Sequence, residues 1–145
     1  MKQHLGIIIF SFLLFNVTNA QGLLQPKNEV FTRQDTLRGS ITKERAWWDV
    51  KNYHLDIKVN PADSTITGSN TITYKVLQEY KMMQIDLQSP LQIYKVIQDR
   101  KELKYTREGN AFVVKLISPQ KVGSTNKITV FYGGKPKVAV NAPWD

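Results

Sequence analysis

Between Asn52 and Val59 the chain alternates strictly. Tyr53, Leu55, Ile57 and Val59 are apolar, and Asn52, His54, Asp56 and Lys58 between them are polar. Successive side chains of a strand point to opposite faces, so a period of two puts the apolar four on one face and the polar four, His54 included, on the other. Asn60-Pro61-Ala62-Asp63 then reads as a turn, since Pro presets φ and Asn and Asp bond their own backbone. The run from Ser64 to Leu77 resumes the alternation, with Ile66, Ile72, Tyr74 and Val76 on one side and Thr65, Thr67, Thr71 and Thr73 on the other. The two runs predict an antiparallel hairpin, in which Gly68 marks either a bulge or a close approach of backbones.

Five more β-prone runs follow: Met82 to Leu87, Leu91 to Gln98, Leu103 to Arg107, Ala111 to Ile117 and Asn126 to Tyr132. They are separated by turn material such as Ser89-Pro90, Glu108-Gly109-Asn110 and Gly133-Gly134. No stretch of helical length shows an apolar period of 3.6, and there is no repeat of fixed period. The expectation is an all-β domain over 47–145, either an antiparallel β-sandwich or a saddle-like, strongly twisted sheet.

The N-terminal residues are of another kind. Lys2 and His4 precede an almost wholly apolar run from Leu5 to Phe15, and Thr18-Asn19-Ala20 offers small residues where a signal peptidase cuts. Residues 1–20 therefore read as a signal peptide cleaved after Ala20, and the chain as exported, periplasmic or secreted. The apolar run is too short to span a bilayer, and nothing after it approaches that length. Residues 21–46, with Pro26, Gly39 and scattered apolar residues, read as an irregular leader partly docked on the strands after it.

The chain carries 20 Lys and Arg against 12 Asp and Glu, with cations scattered among the strands and turns. Nucleic-acid binding wants them gathered in a stripe with interleaved aromatics, so the basic charge reads as a solvated sheet face and no nucleic-acid partner is expected.

Chemistry is bounded by what is missing. With no cysteine there is no disulfide framework, thiolate metal site, Cys nucleophile or lipidated cysteine. His4 and His54 do not form a short-spaced metal pair, and His54 alone would remain to support a serine nucleophile. Gly133-Gly134 runs into Lys135-Pro136 rather than into a helix, so it is no phosphate loop. Asp49, Asp56, Asp63, Asp86, Glu102 and Glu108 fall at turns or polar strand positions, as solvated carboxylates do. No catalytic, cofactor-binding or metal-binding residue is assigned. Trp47, Trp48 and Trp144 remain. On a β-sandwich such aromatics can stack on sugars or anchor a partner. Two adjacent Trp at a strand entry equally point to opposite faces, one into the core and one against the leader.

Taken in order, these segments resemble the N-terminal domain of exported bacterial zinc aminopeptidases of the aminopeptidase-N family, the gluzincin metallopeptidases. The resemblance runs from about Arg33 to Asp145. It rests on the aromatic-x-Leu-x-Ile strand of Tyr53, Leu55 and Ile57, on Ile66 with Gly68 and Ile72 with Tyr74, on Ile85-Asp86-Leu87, and on Ile128, Val130, Tyr132, Gly134 and Pro136. It implies a non-catalytic first domain of an enzyme that removes N-terminal residues from peptides. The family's substrate-amine segment G-x-M-E-N and its H-E-x-x-H zinc motif are absent, so zinc is expected only in a catalytic domain missing from this chain. The chain then reads as a fragment, incomplete at its C-terminal end, whose implied partner is that domain, packed intramolecularly.

The other reading is a free-standing exported β-sandwich module that binds a glycan or protein through Trp47, Trp48 or Trp144. The two differ in what covers the face bearing Tyr53, Leu55, Ile57, Val59, Ile128, Val130 and Tyr132. In a fragment part of that face is bare and sheet edges are unpaired, which invites association.

Overall fold

The computed structural model describes residues 30–141. The signal-peptide reading, residues 21–29 of the leader and Trp144 lie outside them. The described chain runs through α1 (Arg33–Gly39), α2 (Lys43–Ala46), β1 (Trp48–Asn60), β2 (Thr65–Val76), β3 (Met82–Asp86), β4 (Gln92–Gln98), β5 (Lys101–Glu108), β6 (Ala111–Lys115) and β7 (Thr125–Gly134). Each of the seven strands falls on one of the alternating runs.

The strands form one antiparallel sheet in the order β1-β2-β7-β4-β5-β6-β3, curled into a half-barrel. Of the two all-β forms expected, this is the curled sheet. β5 helps the sheet turn, because its start at Lys101 to Leu103 pairs with β4 while Lys104 to Glu108 pair with β6. Tyr105 Oη still donates to the Ile93 carbonyl at 2.7 Å, holding the two halves of the curl together.

β1 and β2 form the expected hairpin, with Tyr53 opposite Ile72 and Ile57 opposite Gly68. Gly68 marks a close backbone approach rather than a bulge: a Cβ built there would lie 2.1 Å from the Asp56 carbonyl oxygen. The ladder's irregularity falls instead between Val50 and Asn52.

The inward-facing residues of β2, β7, β4, β5 and β6 make the core: Ile72, Tyr74, Val76, Ile128, Val130, Ile93, Val96, Leu103, Phe112 and Val114, joined by Met83 and Trp47. Burial of this contiguous apolar surface is the main favourable term in folding such a sheet. Tyr74 is wholly buried, and its hydroxyl accepts from Gln98 Nε2 at 3.0 Å, so the polar tip is satisfied inside the core.

The irregular reading of the leader is corrected over two short segments, which are helical. α1 starts with a capping box in which Thr32 Oγ1 accepts from the Asp35 amide and the Asp35 carboxylate accepts from the Thr32 amide at 2.9 Å. The Thr32 hydroxyl, which also donates to the Asp35 carboxylate at 2.7 Å, and then the Thr32 amide hold that carboxyl below its ordinary range. Its one buried residue, Leu37, faces the sheet, and the Leu37 carbonyl accepts from the buried amide of Gln84 on β3. Arg33 pairs with Glu108, and Arg45 of α2 with Asp86. The part of the leader from Arg33 to Ala46 is thus docked on the β3 side of the sheet.

Candidate docking face and the cleft between the sheet edges

The adjacent tryptophans flank the core. Trp47 is buried, its indole N–H donating to the Met82 carbonyl at 2.7 Å and its ring standing edge-on to Tyr74. Trp48 is partly buried, donates to the Glu44 carbonyl of α2 at 3.0 Å, and also stands edge-on to Tyr74. One indole therefore reaches into the sheet and the other toward the leader. Trp47 is closed to any ligand, which removes one of the three aromatics on which the binding-module reading drew, whereas half-buried Trp48 lines the cleft described below.

The distinctive surface is on β1. Rows of side chains cross the inner face of the sheet, and one runs from Leu55 through Asn70 and Val130 to Val96. Exposure along it falls from 56% at Leu55 to 6% at Val130 and 0% at Val96. Tyr53, Ile57 and Val59 are likewise exposed, whereas Ile128 and Val130 of the same face are buried. The curl of the sheet covers β7, β4 and the start of β1 at Trp48 and Val50 but does not reach β1 from Lys51 onward. The uncovered portion of the expected apolar face is thus Tyr53 to Val59, rimmed by half-buried Ile66 and Tyr132. Four exposed apolar side chains in a row on one strand face mark an interaction surface more than a solvated one.

Beside this face lies a cleft of about 620 Å³ between β1 and β2 on one side and β3 on the other. Val50, Ile72 and Ile85 supply its apolar wall and Tyr53 its outer rim. Arg45 and Asp86 pair at its edge. Asn70 Oδ1 is buried there and accepts no hydrogen bond among the described residues. A buried acceptor without a donor costs stability, so this position is suited to a donor brought by another chain segment.

The carboxylates have structural partners more than open ones. Asp49 accepts from Lys51 Nζ at 2.6 Å, and Asp63 accepts from the Thr65 amide and hydroxyl. Glu108 is held below the usual carboxylate range by its hydrogen bonds from Arg33. His54 is exposed on the polar side of β1. Among the described residues no three of His, Asp and Glu converge in a way that could hold a metal ion. None of their helices is long and apolar enough to cross a membrane. What sequence reasoning missed was the cleft, because it depends on β1 and β3, opposite ends of the strand order, curling toward one another.

No family model and no curated protein matches the sequence. Solved structures do match the fold. An M1 zinc metallopeptidase from Deinococcus radiodurans, bound to a Tyr-Ser-Ala substrate, superposes with a TM-score of 0.58 and 18% identity over 68% of this chain and 23% of its own. A second structure of an M1 zinc metallopeptidase from Deinococcus radiodurans gives 0.57 and 19% over 67% and 22%. Leukotriene A4 hydrolase from Saccharomyces cerevisiae gives 0.53 and 20% over 63% of this chain and 16% of its own. The curled sheet is therefore a fold that these metallopeptidases contain, and the chain spans less than a quarter of the length of each.

Proposed function

We propose that this chain is the N-terminal β-domain of an exported bacterial zinc metallo-aminopeptidase, without catalytic residues of its own, and that its bare face packs against a catalytic domain C-terminal to it. The observation that carries this reading is the half-covered sheet: the residues from Tyr53 to Val59 are patterned for burial yet lie exposed. The ordered strand motifs and the fold shared with zinc metallopeptidases support the same assignment. Zinc and peptide substrates belong, on this reading, to that second domain. The described residues do not fit a zinc site, since a catalytic zinc needs about three converging protein ligands. The domain's contribution is then positional, walling one side of a peptide cleft.

The test is to read the coding sequence past Asp145, express the extended chain, and assay both forms for release of N-terminal residues from peptides. An H-E-x-x-H motif in the continuation, with zinc-dependent activity in the extended chain alone, is the expected result. A natural stop after Asp145, with a monomeric and sharply melting product, would refute the assignment and favour a free-standing module.

A further inference from the structure

The sheet ends in two edge strands, and they are treated differently. β3 has α2 packed beside it, with Arg45 reaching to Asp86. β1 pairs with β2 alone among the described residues, and every residue from Lys51 to Asn60 is exposed. Natural edge strands are usually short, bulged, interrupted by proline or studded with charges, and of these devices β1 has charges at Lys51, Asp56 and Lys58 and an irregularity only at its start. β1 has 13 residues, and from Asn52 to Asn60 its ladder is regular, without proline, glycine or bulge. Such a strand is a template for pairing with another.

The side chains specify a partner. Asp56 and Lys58 lie on the polar face of β1, two residues apart with Ile57 between them. If two copies of β1 run antiparallel about a twofold axis through Ile57, Asp56 of each stands directly opposite Lys58 of the other. Leu55 then meets Val59, and Ile57 meets its own counterpart. Neighbouring registers lose this match. With Leu55 on the axis Asp56 faces His54 and Lys58 faces Asn52, while an axis through Asp56 or Lys58 sets like charges against each other. Opposite charges directly across a ladder stabilise it and like charges weaken it. The two-residue spacing of opposite charges makes the strand complementary to itself, as a twofold interface requires.

We propose that the free edge of β1 pairs with β1 of a second copy of this chain, in the register centred on Ile57, joining two curled sheets into one. The pairing uses backbone groups at the edge of β1. The docking proposed above uses its side-chain face, so either can fail without the other.

Sedimentation equilibrium on the purified chain tests the proposal, with circular dichroism confirming the fold of each variant. The unaltered chain is expected to dimerise. Asp56→Lys and Lys58→Asp each set two like-charge pairs across the axis and should weaken the dimer by about tenfold. The double variant restores opposite charges in the same register and should return affinity to within about threefold of the original. Because the chain has no cysteine, Ile57→Cys offers an independent measurement. Mild oxidation should link it into a covalent dimer, whereas Tyr53→Cys, far from the axis, should stay unlinked. A monomeric unaltered chain, equal association by all charge variants, or linkage at Tyr53→Cys instead of Ile57→Cys would overturn the proposal.

Discussion

Gln84 on β3 donates from its side-chain amide to the carbonyl of Leu37, 2.9 Å away, so a buried polar group of the sheet is satisfied by the leader. Helix α1 is consequently part of the folded unit. Gln84→Ala should leave the Leu37 carbonyl without this donor and cost about 1–3 kcal/mol. Leu37→Ala, which empties the apolar seat of α1, should cost about 2–4 kcal/mol. Urea unfolding followed by far-ultraviolet circular dichroism measures both. Losses below about 0.5 kcal/mol would show the leader to be energetically detached.

Trp47 combines a buried ring with a hydrogen bond to Met82. Trp47→Phe keeps most of the ring and loses the donor, so a loss of about 1–3 kcal/mol is expected. Trp47→Ala empties the site and should cost about 3–5 kcal/mol. Trp48→Phe, at a half-buried position, should cost less than Trp47→Phe in the same unfolding experiment.

Burial pushes the Tyr74 phenol up to about 12, against the opposing effect of the hydrogen bond from Gln98, while an unconstrained tyrosine titrates at 10.0. The folded state therefore holds a proton that the unfolded chain releases more readily. Stability from this group is complete below about pH 10 and falls as pH rises from there through 12. A spectrophotometric titration should show one of the six tyrosines ionising late. Tyr74→Phe should remove that late step and flatten the alkaline fall in melting temperature, and an unchanged titration curve would contradict the assignment.

Gly68→Ala places a Cβ against the Asp56 carbonyl oxygen, a backbone atom that can move only by spreading the hairpin. A loss of about 1–3 kcal/mol is expected. Amide hydrogen exchange should rise along β1 and β2 and remain unchanged along β6. Equal protection in both hairpins would show that the strands part there without cost.

All seven strands were legible because alternation and turn chemistry are local: Tyr53 to Val59 declares its two faces without reference to the rest of the chain. α1 and α2, at 7 and 4 residues, are too short to display a helical period. The cue to α1 was Thr32 three residues ahead of Asp35, a cap signal easily lost in a polar leader. Which strand face would be covered was not legible at all. Leu55 and Val130 belong to one row and follow the same pattern, yet one is exposed and the other buried. That difference arises from the direction of the curl, which is set by strands far from Leu55 in the sequence.

β7 lies between β2 and β4, so the last of the described strands is the hinge plate of their sheet. Before it is in place the β1-β2 hairpin and the β4-β5-β6-β3 group share no ladder. A nascent chain that has emerged only as far as Ser124 holds two separate strand groups, each with an apolar face turned to water. Assembly must then wait for Thr125 to Gly134 to arrive and slot between them. Synthesis therefore delivers the centre of the described sheet after its flanks, and a ribosome paused just ahead of β7 would hold out two apolar strand faces not yet joined.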